Sequence, residues 1–333
     1  MNILVTGAAG FIGSDFCRLS LEKFHTVCGL DALTYSGNYE NLVEIEQHPH
    51  FSFVHGRIED ALCLSEILST RSFDIVVNFA AETHVDRSIM DSTPFSISNV
   101  VGTSVLLEQS KKYGVKRFIQ ISTDEVYGSA KESELFTETH PIIPSSPYSA
   151  SKAGSDFLAL SFWKTFRFET IVTRCSNNFG PRQFPEKLIP LMIVNALEDR
   201  SLPVYGDGLN IRDWIYVRDH NSAILKIIEN GRPGEIYNIG ADQERSNIEV
   251  IKSILQLTDK PHSLITYVDD RPGHDRRYAI DASKLKRELN WSPTKSFESG
   301  LLETVEWYRN NNDWCNNVRN GSYQSYYQKQ YQR

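Results

Sequence analysis

The chain has 333 residues, 40% of them hydrophobic and 23% charged, which excludes a largely disordered protein and is enough for one large α/β unit or two modest domains. Its 42 acidic and 35 basic residues leave a net charge of −7, which argues against a nucleic-acid binder relying on a broad basic face. No apolar run approaches the roughly 20 residues of a membrane helix. The N-terminus lacks the regions of a signal peptide, and the five scattered cysteines (Cys17, Cys28, Cys63, Cys175, Cys315) read as buried thiols in a reducing cytoplasm.

Taken in chain order, residues 3–6, 26–30, 51–54, 75–79 and 118–122 read as strands. They are near-continuous apolar runs, as expected of strands covered on both faces. Helical spacing fills 11–21 and the stretches near 100–113 and 149–166. This alternation predicts an α/β fold with a parallel sheet between two helical layers. After about residue 175, prolines at 181, 185, 190 and 203 interrupt the pattern, so a second, smaller region is expected to cover the sheet's C-terminal edge. The polar, aromatic, low-complexity end reads as a frayed tail.

Gly7-Ala8-Ala9-Gly10-Phe11-Ile12-Gly13 follows the first strand and opens the first helix. Without Cβ atoms the turn can bend sharply and approach a pyrophosphate, while the helix start offers free N–H groups and a positive dipole end. Gly7, Gly10 and Gly13 in the first βα unit therefore point to a dinucleotide and a Rossmann-type doubly wound sheet. Asp31, ending the second strand, can accept hydrogen bonds from an adenosine ribose and would repel a 2′-phosphate, which favours NAD over NADP. Arg57, a cation following the third strand, works in the other direction; NAD preference is expected all the same.

Tyr148 and Lys152 stand four residues apart, one helical turn, on one face. The nearby ammonium is expected to lower the phenol's pKa from about 10, so that Tyr148 can take a proton from an alcohol while hydride leaves the same carbon. With Thr123 and the glycine-rich turn, the pair resembles the short-chain dehydrogenase/reductase superfamily. Thr123 offers a hydroxyl to the reacting oxygen. Asp124 and Glu125 add two carboxyl groups there, and adjacent carboxyls tend to have separated pKa values, one serving as acid and the other as base. A plain alcohol dehydrogenase needs neither.

At this level of detail the chain resembles the dTDP-glucose 4,6-dehydratase family, within the extended short-chain dehydrogenases. The resemblance covers about residues 1–312 and rests on blocks at 4–13, 31–35, 80–89, 123–128, 148–152, 174–180, 184–190, 206–214 and 270–278. The Thr-Asp-Glu block at 123–125 and the Arg-Pro-Gly-His block at 271–274 are the specific ones. It implies that Tyr148, supported by Lys152, removes the C4 hydroxyl proton as hydride passes to NAD⁺, that Glu125 abstracts the C5 proton, and that protonated Asp124 donates to the departing C6 hydroxyl. Hydride then returns to C6, giving a 4-keto-6-deoxy sugar nucleotide with the cofactor retained.

The resemblance implies NAD contacts at Phe11, Ile12, Asp31, Thr34, Ile58, Ala80, Ala81, Ser98, Tyr148, Lys152 and Asn178. It implies sugar-nucleotide contacts at Thr83, Asn177, Lys187, Leu188, Pro203 and Tyr205, and at Arg212, Asn247, Arg271 and His274. The two arginines suit a diphosphate. Two departures stand out: Arg57 where an aspartate is usual at the adenine pocket, and Thr83 for the more usual serine. The implied division is 1–174 with about 212–240 as the NAD-binding Rossmann domain, about 175–211 with 241–318 as the smaller α/β substrate-binding domain, and 319–333 as tail. No metal is expected. Three alternatives remain: the same dehydration of UDP-glucose, a sugar-nucleotide 4-epimerase, and a catalytically silent NAD-binding regulator. Apolar positions Val105, Leu106, Phe157 and Leu160 further suggest a helix-packed homodimer.

Overall fold

The structure, a computed structural model, describes residues 1–270 and 272–319. The first half runs β1 (Asn2–Thr6), α1 (Phe11–Glu22), β2 (Thr26–Asp31), β3 (Phe51–His55), α2 (Ala61–Thr70), β4 (Ile75–Asn78), α3 (Val85–Met90), α4 (Thr93–Phe95), a π-helical stretch (Ser96–Gly102), α5 (Thr103–Lys112), β5 (Arg117–Thr123), α6 (Pro147–Phe166) and β6 (Glu169–Cys175). It continues with β7 (Asn177–Phe179), α7 (Leu188–Leu197), β8 (Leu202–Tyr205), β9 (Ile211–Tyr216), α8 (Val217–Asn230), β10 (Ile236–Ile239), β11 (Glu244–Ser246), α9 (Asn247–Thr258), β12 (Ile265–Val268), α10 (Ser283–Leu289), α11 (Phe297–Asn310) and α12 (Asn312–Val318).

Seven strands form one sheet in the order β10-β6-β5-β4-β1-β2-β3. Every neighbouring pair is parallel. Successive side chains of a strand point to opposite faces, and both faces are dry. Ile3, Val5, Val27 and Val77 pack with Phe16 of α1 and Ile224 of α8. Leu4, Cys28, Val76 and Phe118 pack on the other side with Leu64, Leu106 and Ala159. The expected doubly wound sheet is therefore present. Strand order reverses between β1 and β4, and the carboxyl ends flanking such a switch point form the crevice where open α/β sheets bind ligands.

A second core lies outside this sheet. It gathers Phe179, Trp214 and Phe297 with α7, α9 and α11. Two small sheets accompany it: β11-β9-β7 and β12-β8. No described helix is long and apolar enough to cross a membrane.

Two expectations need correcting, and a third lies largely outside the described residues. The helix expected near 100–113 starts earlier, because Ser96–Gly102 is wound as a π-helix, whose wider turn breaks the 3.6-residue spacing. Leu106 is fully buried in the chain's own core, with Val105 and Leu160 packed against it, so of the four apolar positions taken as a dimer face only Phe157 is well exposed. The tail expected over 319–333 lies outside the described residues from 320 onward, as does Arg271.

Candidate active site

The glycine-rich turn is shaped by close packing. Gly7 has φ +66°, and a Cβ there would stand 2.7 Å from the Ala80 nitrogen; one on Gly13 would stand 2.1 Å from the Gly7 carbonyl oxygen. Both are thus fixed by the chain itself. Gly10 differs. It precedes α1 with an ordinary φ of −74°, and the chain places only one atom within 4 Å of a Cβ there, at 3.2 Å. The space beside Gly10 is open towards the cleft, where the first amides of α1, which have no intrahelical acceptor, begin.

That cleft is lined by Gly7, Gly10, Phe11, Ile12 and Gly13, by Asp31, Thr34 and Ile58, and by Ala80, Ala81, Ser98 and Asn178. All the expected cofactor residues therefore meet in one cavity. Asp31 is buried and accepts hydrogen bonds from the amides of Ala9 and Leu33, each at 2.8 Å. Burial raises its pKa, and these two amides oppose the shift. Arg57 also lines the cleft, but its side chain is 58% exposed and pairs with Glu59 at 3.1 Å. The buried side-chain oxygens of Asn177 and Asn178 have no partner among the described residues and lie in the same cavity. Open space at Gly10, exposed helix-start amides and unsatisfied amide oxygens fit a dinucleotide.

The residues expected to react lie in the same cavity. β5 ends at Thr123, whose Oγ1 accepts from the Glu125 amide (3.2 Å) and caps the short 3₁₀ turn Asp124–Tyr127. Thr123 also donates to Asp124 Oδ1 at 3.3 Å. α6 opens with Pro147 and a reciprocal cap between Ser146 and Ser149. That cap sets Tyr148 in the first turn and Lys152 one turn on. Thr123, Asp124, Glu125, Tyr148 and Lys152 all line the cavity.

The electrostatics differ among these groups. Burial, and next the Glu125 charge, hold the Asp124 carboxyl well above the usual carboxylate range. The direction of this shift is the one an acid role for Asp124 needs. The Tyr148 phenol departs from expectation: burial and then the Glu125 charge push it well above its ordinary value. Lys152 does not offset this. Its Nζ donates to the Ile121 carbonyl at 2.6 Å, and burial lowers its own pKa against the opposing charge of Asp156. Desolvation of the phenol outweighs the cation one turn away.

A second cavity opens from the first. Glu125, Asn177, Glu186 and Lys187 line both, so Glu125 stands at the junction. Leu188, Pro203, Tyr205, Arg212, Asn247 and His274 line the second, as expected for sugar-nucleotide contacts. Thr83 lines only the first, where its carbonyl accepts from Lys187 Nζ at 2.8 Å. Arg212 is oriented by the Asp275 carbonyl (2.9 Å) and stacks 4.0 Å over the Tyr278 ring. His274 Nδ1 lies 2.6 Å from Asp270 Oδ1.

Glu82, Asp86, Glu186 and Tyr278 also line these cavities and were not singled out from the sequence. The signal was present, since each sits inside a block already noted, Glu186 directly before Lys187. Glu186 is buried and pairs with Arg87 at 3.2 Å, and that guanidinium lies 4.0 Å over the Tyr35 ring. No cluster of metal-ligating side chains occurs among the described residues.

Comparison with known proteins agrees with this geometry. The profile of the family described as GDP-mannose 4,6 dehydratase matches residues 4–304. A dTDP-glucose 4,6-dehydratase of Xanthomonas campestris pv. campestris is 50% identical, covering 96% of both chains. The crystal structure of a dTDP-glucose 4,6-dehydratase from Bacillus anthracis in complex with NAD is 50% identical, with a TM-score of 0.90 over 96% of this chain and 99% of that one. That of DesIV, the same enzyme from Streptomyces venezuelae and also with NAD bound, is 46% identical, with a TM-score of 0.93 over 96% of this chain and 100% of that one.

Proposed function

The chain belongs to the GDP-mannose 4,6 dehydratase family, among its dTDP-glucose 4,6-dehydratases, and we propose on that footing that it is an NAD-dependent hydro-lyase converting dTDP-glucose to dTDP-4-keto-6-deoxyglucose. The observation that carries the reading is the meeting of Asp124, Glu125, Tyr148 and Lys152 in one cavity that continues into a second, with the Asp124 carboxyl buried beside Glu125.

The glycine-rich turn, Asp31 and Asn178 would hold NAD, which would supply a two-electron carrier between C4 and C6 of the sugar. Tyr148 is placed to take the C4 hydroxyl proton, with Thr123 orienting that oxygen; because burial raises the phenol's pKa, the phenolate would depend on positive charge from Lys152 and from the oxidised nicotinamide when it is bound. The 4-keto group makes the C5 proton acidic; Glu125 removes it and returns a proton to C5 as hydride reaches C6. Asp124 gives its proton to the C6 hydroxyl, which leaves as water. The second cavity receives the nucleotide, with Arg212 on the diphosphate.

A 4-epimerase needs the Tyr148–Lys152 pair but no acid–base pair beside it, and a silent regulator needs none of the four. The cofactor and substrate assignments residue by residue, and the division into 1–174 with about 212–240 and about 175–211 with 241–318, are part of the same proposal. So is a homodimer through Phe157 of α6 and the neighbouring exposed Ile97 and Val101; sedimentation as a monomer at micromolar concentration would contradict it. The five free thiols suit a cytoplasmic setting. The decisive experiment is incubation of the purified protein with dTDP-glucose and with UDP-glucose, followed by mass spectrometry. Loss of one water from dTDP-glucose is expected. No water loss from either, or preferential turnover of UDP-glucose, would overturn the assignment.

A further inference from the structure

The last described helix reaches the cofactor turn through a single side chain. Trp314 of α12 donates its indole N–H to Asn41 Oδ1 at 3.0 Å, and Asn41 donates from Nδ2 to the Ala9 carbonyl at 2.9 Å. An indole N–H only donates and a peptide oxygen only accepts, so the orientation of the Asn41 amide is determined. Asn41 is 2% exposed and Trp314 8%. The Asn41 backbone is held as well, its carbonyl accepting from Arg18 at 2.7 Å. The same Ala9 carbonyl accepts from the Asn38 amide at 3.1 Å, and the Ala9 amide is bound by Asp31. Both polar groups of the Ala9 peptide are therefore tied down, directly before Gly10 and the open start of α1.

The other end of this path is rigid. Trp314 packs edge-on against Trp307, with ring centroids 5.0 Å apart, and belongs to the second core with Tyr308 and Phe297. Thus the turn that meets the pyrophosphate is braced from the core farther along the chain, across 273 residues of sequence.

We propose that the Trp314–Asn41–Ala9 path is a retaining brace for the dinucleotide: it holds the turn in its binding shape and slows cofactor release. The proposal rests on the NAD-dependent reading above, and its logic is preorganisation. A turn already in its bound conformation loses less freedom on binding, and must distort before the ligand leaves. Such a brace matters most in a cycle that returns hydride to the same molecule, where early release would strand the keto intermediate. Trp314 and Asn41 act as positioning residues, through Ala9.

The test is cofactor retention, measured apart from turnover. Trp314→Phe keeps an aromatic ring in the second core and removes the N–H along with part of the indole, so its melting temperature is measured beside the release rate. It is expected to raise the NAD dissociation rate about five-fold, as for loss of one hydrogen bond, and to lower the NAD carried through purification, with kcat at saturating NAD little changed. Asn41→Asp, which keeps the acceptor for Trp314 and loses the donor to Ala9, cuts the path at its other end and should release NAD at least as fast. Asn317→Ala is the control: it removes another bond from the same helix to the same segment, to Glu40 at 2.8 Å, exposed and off the path, and should leave release unchanged. Release from Trp314→Phe at the wild-type rate, or equal acceleration by Asn317→Ala, would overturn the brace. A wild-type protein that binds no NAD would instead overturn the underlying reading.

Discussion

Arg174 Nε donates to Asp156 Oδ2 across 2.9 Å, and the two side chains are only 2% and 0% exposed. The pair adjoins Lys152 and Tyr127. Asp156 follows Lys152 by one turn of α6 and opposes the lowering of its pKa, while Arg174 also donates to the Tyr127 hydroxyl at 2.9 Å. Removing one member leaves the other charge buried and unpaired. Arg174→Met is expected to destabilise the fold by about 3–5 kcal/mol in denaturant titration. The double variant Asp156→Leu/Arg174→Met should lose less than Arg174→Met alone. A loss from Arg174→Met of under about 1 kcal/mol would show that the pair is not the tight unit described.

The two carboxyl groups at 124–125 should fail in different ways. Glu125→Gln is expected to bind cofactor normally and slow elimination by about 10²–10⁴, with loss of solvent-deuterium incorporation at C5. Asp124→Asn keeps the size but has no proton to give; it should retain C5 exchange and lose water expulsion. Mass spectrometry in heavy water distinguishes the two. A near-normal rate for Glu125→Gln would remove it from the base role.

Gly10 and Gly13 make a paired prediction. Gly13→Ala places a methyl 2.1 Å from a backbone oxygen and should lower the melting temperature. Gly10→Ala meets one atom at 3.2 Å and should fold nearly normally, yet bind NAD at least ten-fold more weakly because the methyl enters the space meant for phosphate. Calorimetry with and without NAD separates the cases; undiminished NAD binding by Gly10→Ala would reject the assignment of that space.

His220 on α8 is fully enclosed, has no hydrogen-bond partner among the described residues, and burial lowers its pKa from 6.5 to about 3. The unfolded chain therefore takes up a proton below pH 6.5 that the folded chain refuses until about pH 3. Its contribution to stability is full above pH 6.5 and is lost as pH falls through that window, at about 1.4 kcal/mol per pH unit. Denaturant titrations at pH 6.5, 5.5 and 4.5 should show a shallower fall for His220→Leu, by about that slope. Parallel curves would mean that His220 is protonated or hydrated in the native state.

Much of the first half was legible because its physics is local. Ile3-Leu4-Val5 can only be a strand covered on both faces, and Gly7 to Gly13 only a tight turn into a helix. The second cavity was not legible from pattern. Lys187, Tyr205, Arg212, Asn247 and His274 come from separate segments, and β7 and β11 are three residues each, too short to show a period. Tyr148 shows a different limit. Its neighbour Lys152 is visible in the sequence, but the desolvation that outweighs it is set by everything packed around the phenol.

β10 has a consequence for how the molecule is made. Among the described residues, the outer edge of β6 is paired by residues 234–239, so a ribosome that has delivered the first 175 residues has produced a sheet whose last strand is still unsynthesised. Until then β6 offers bare amides and carbonyls to any other strand. A fragment ending at 175 is thus a sticky half-product rather than a free-standing nucleotide binder, and biosynthesis must shield that edge while about sixty more residues emerge.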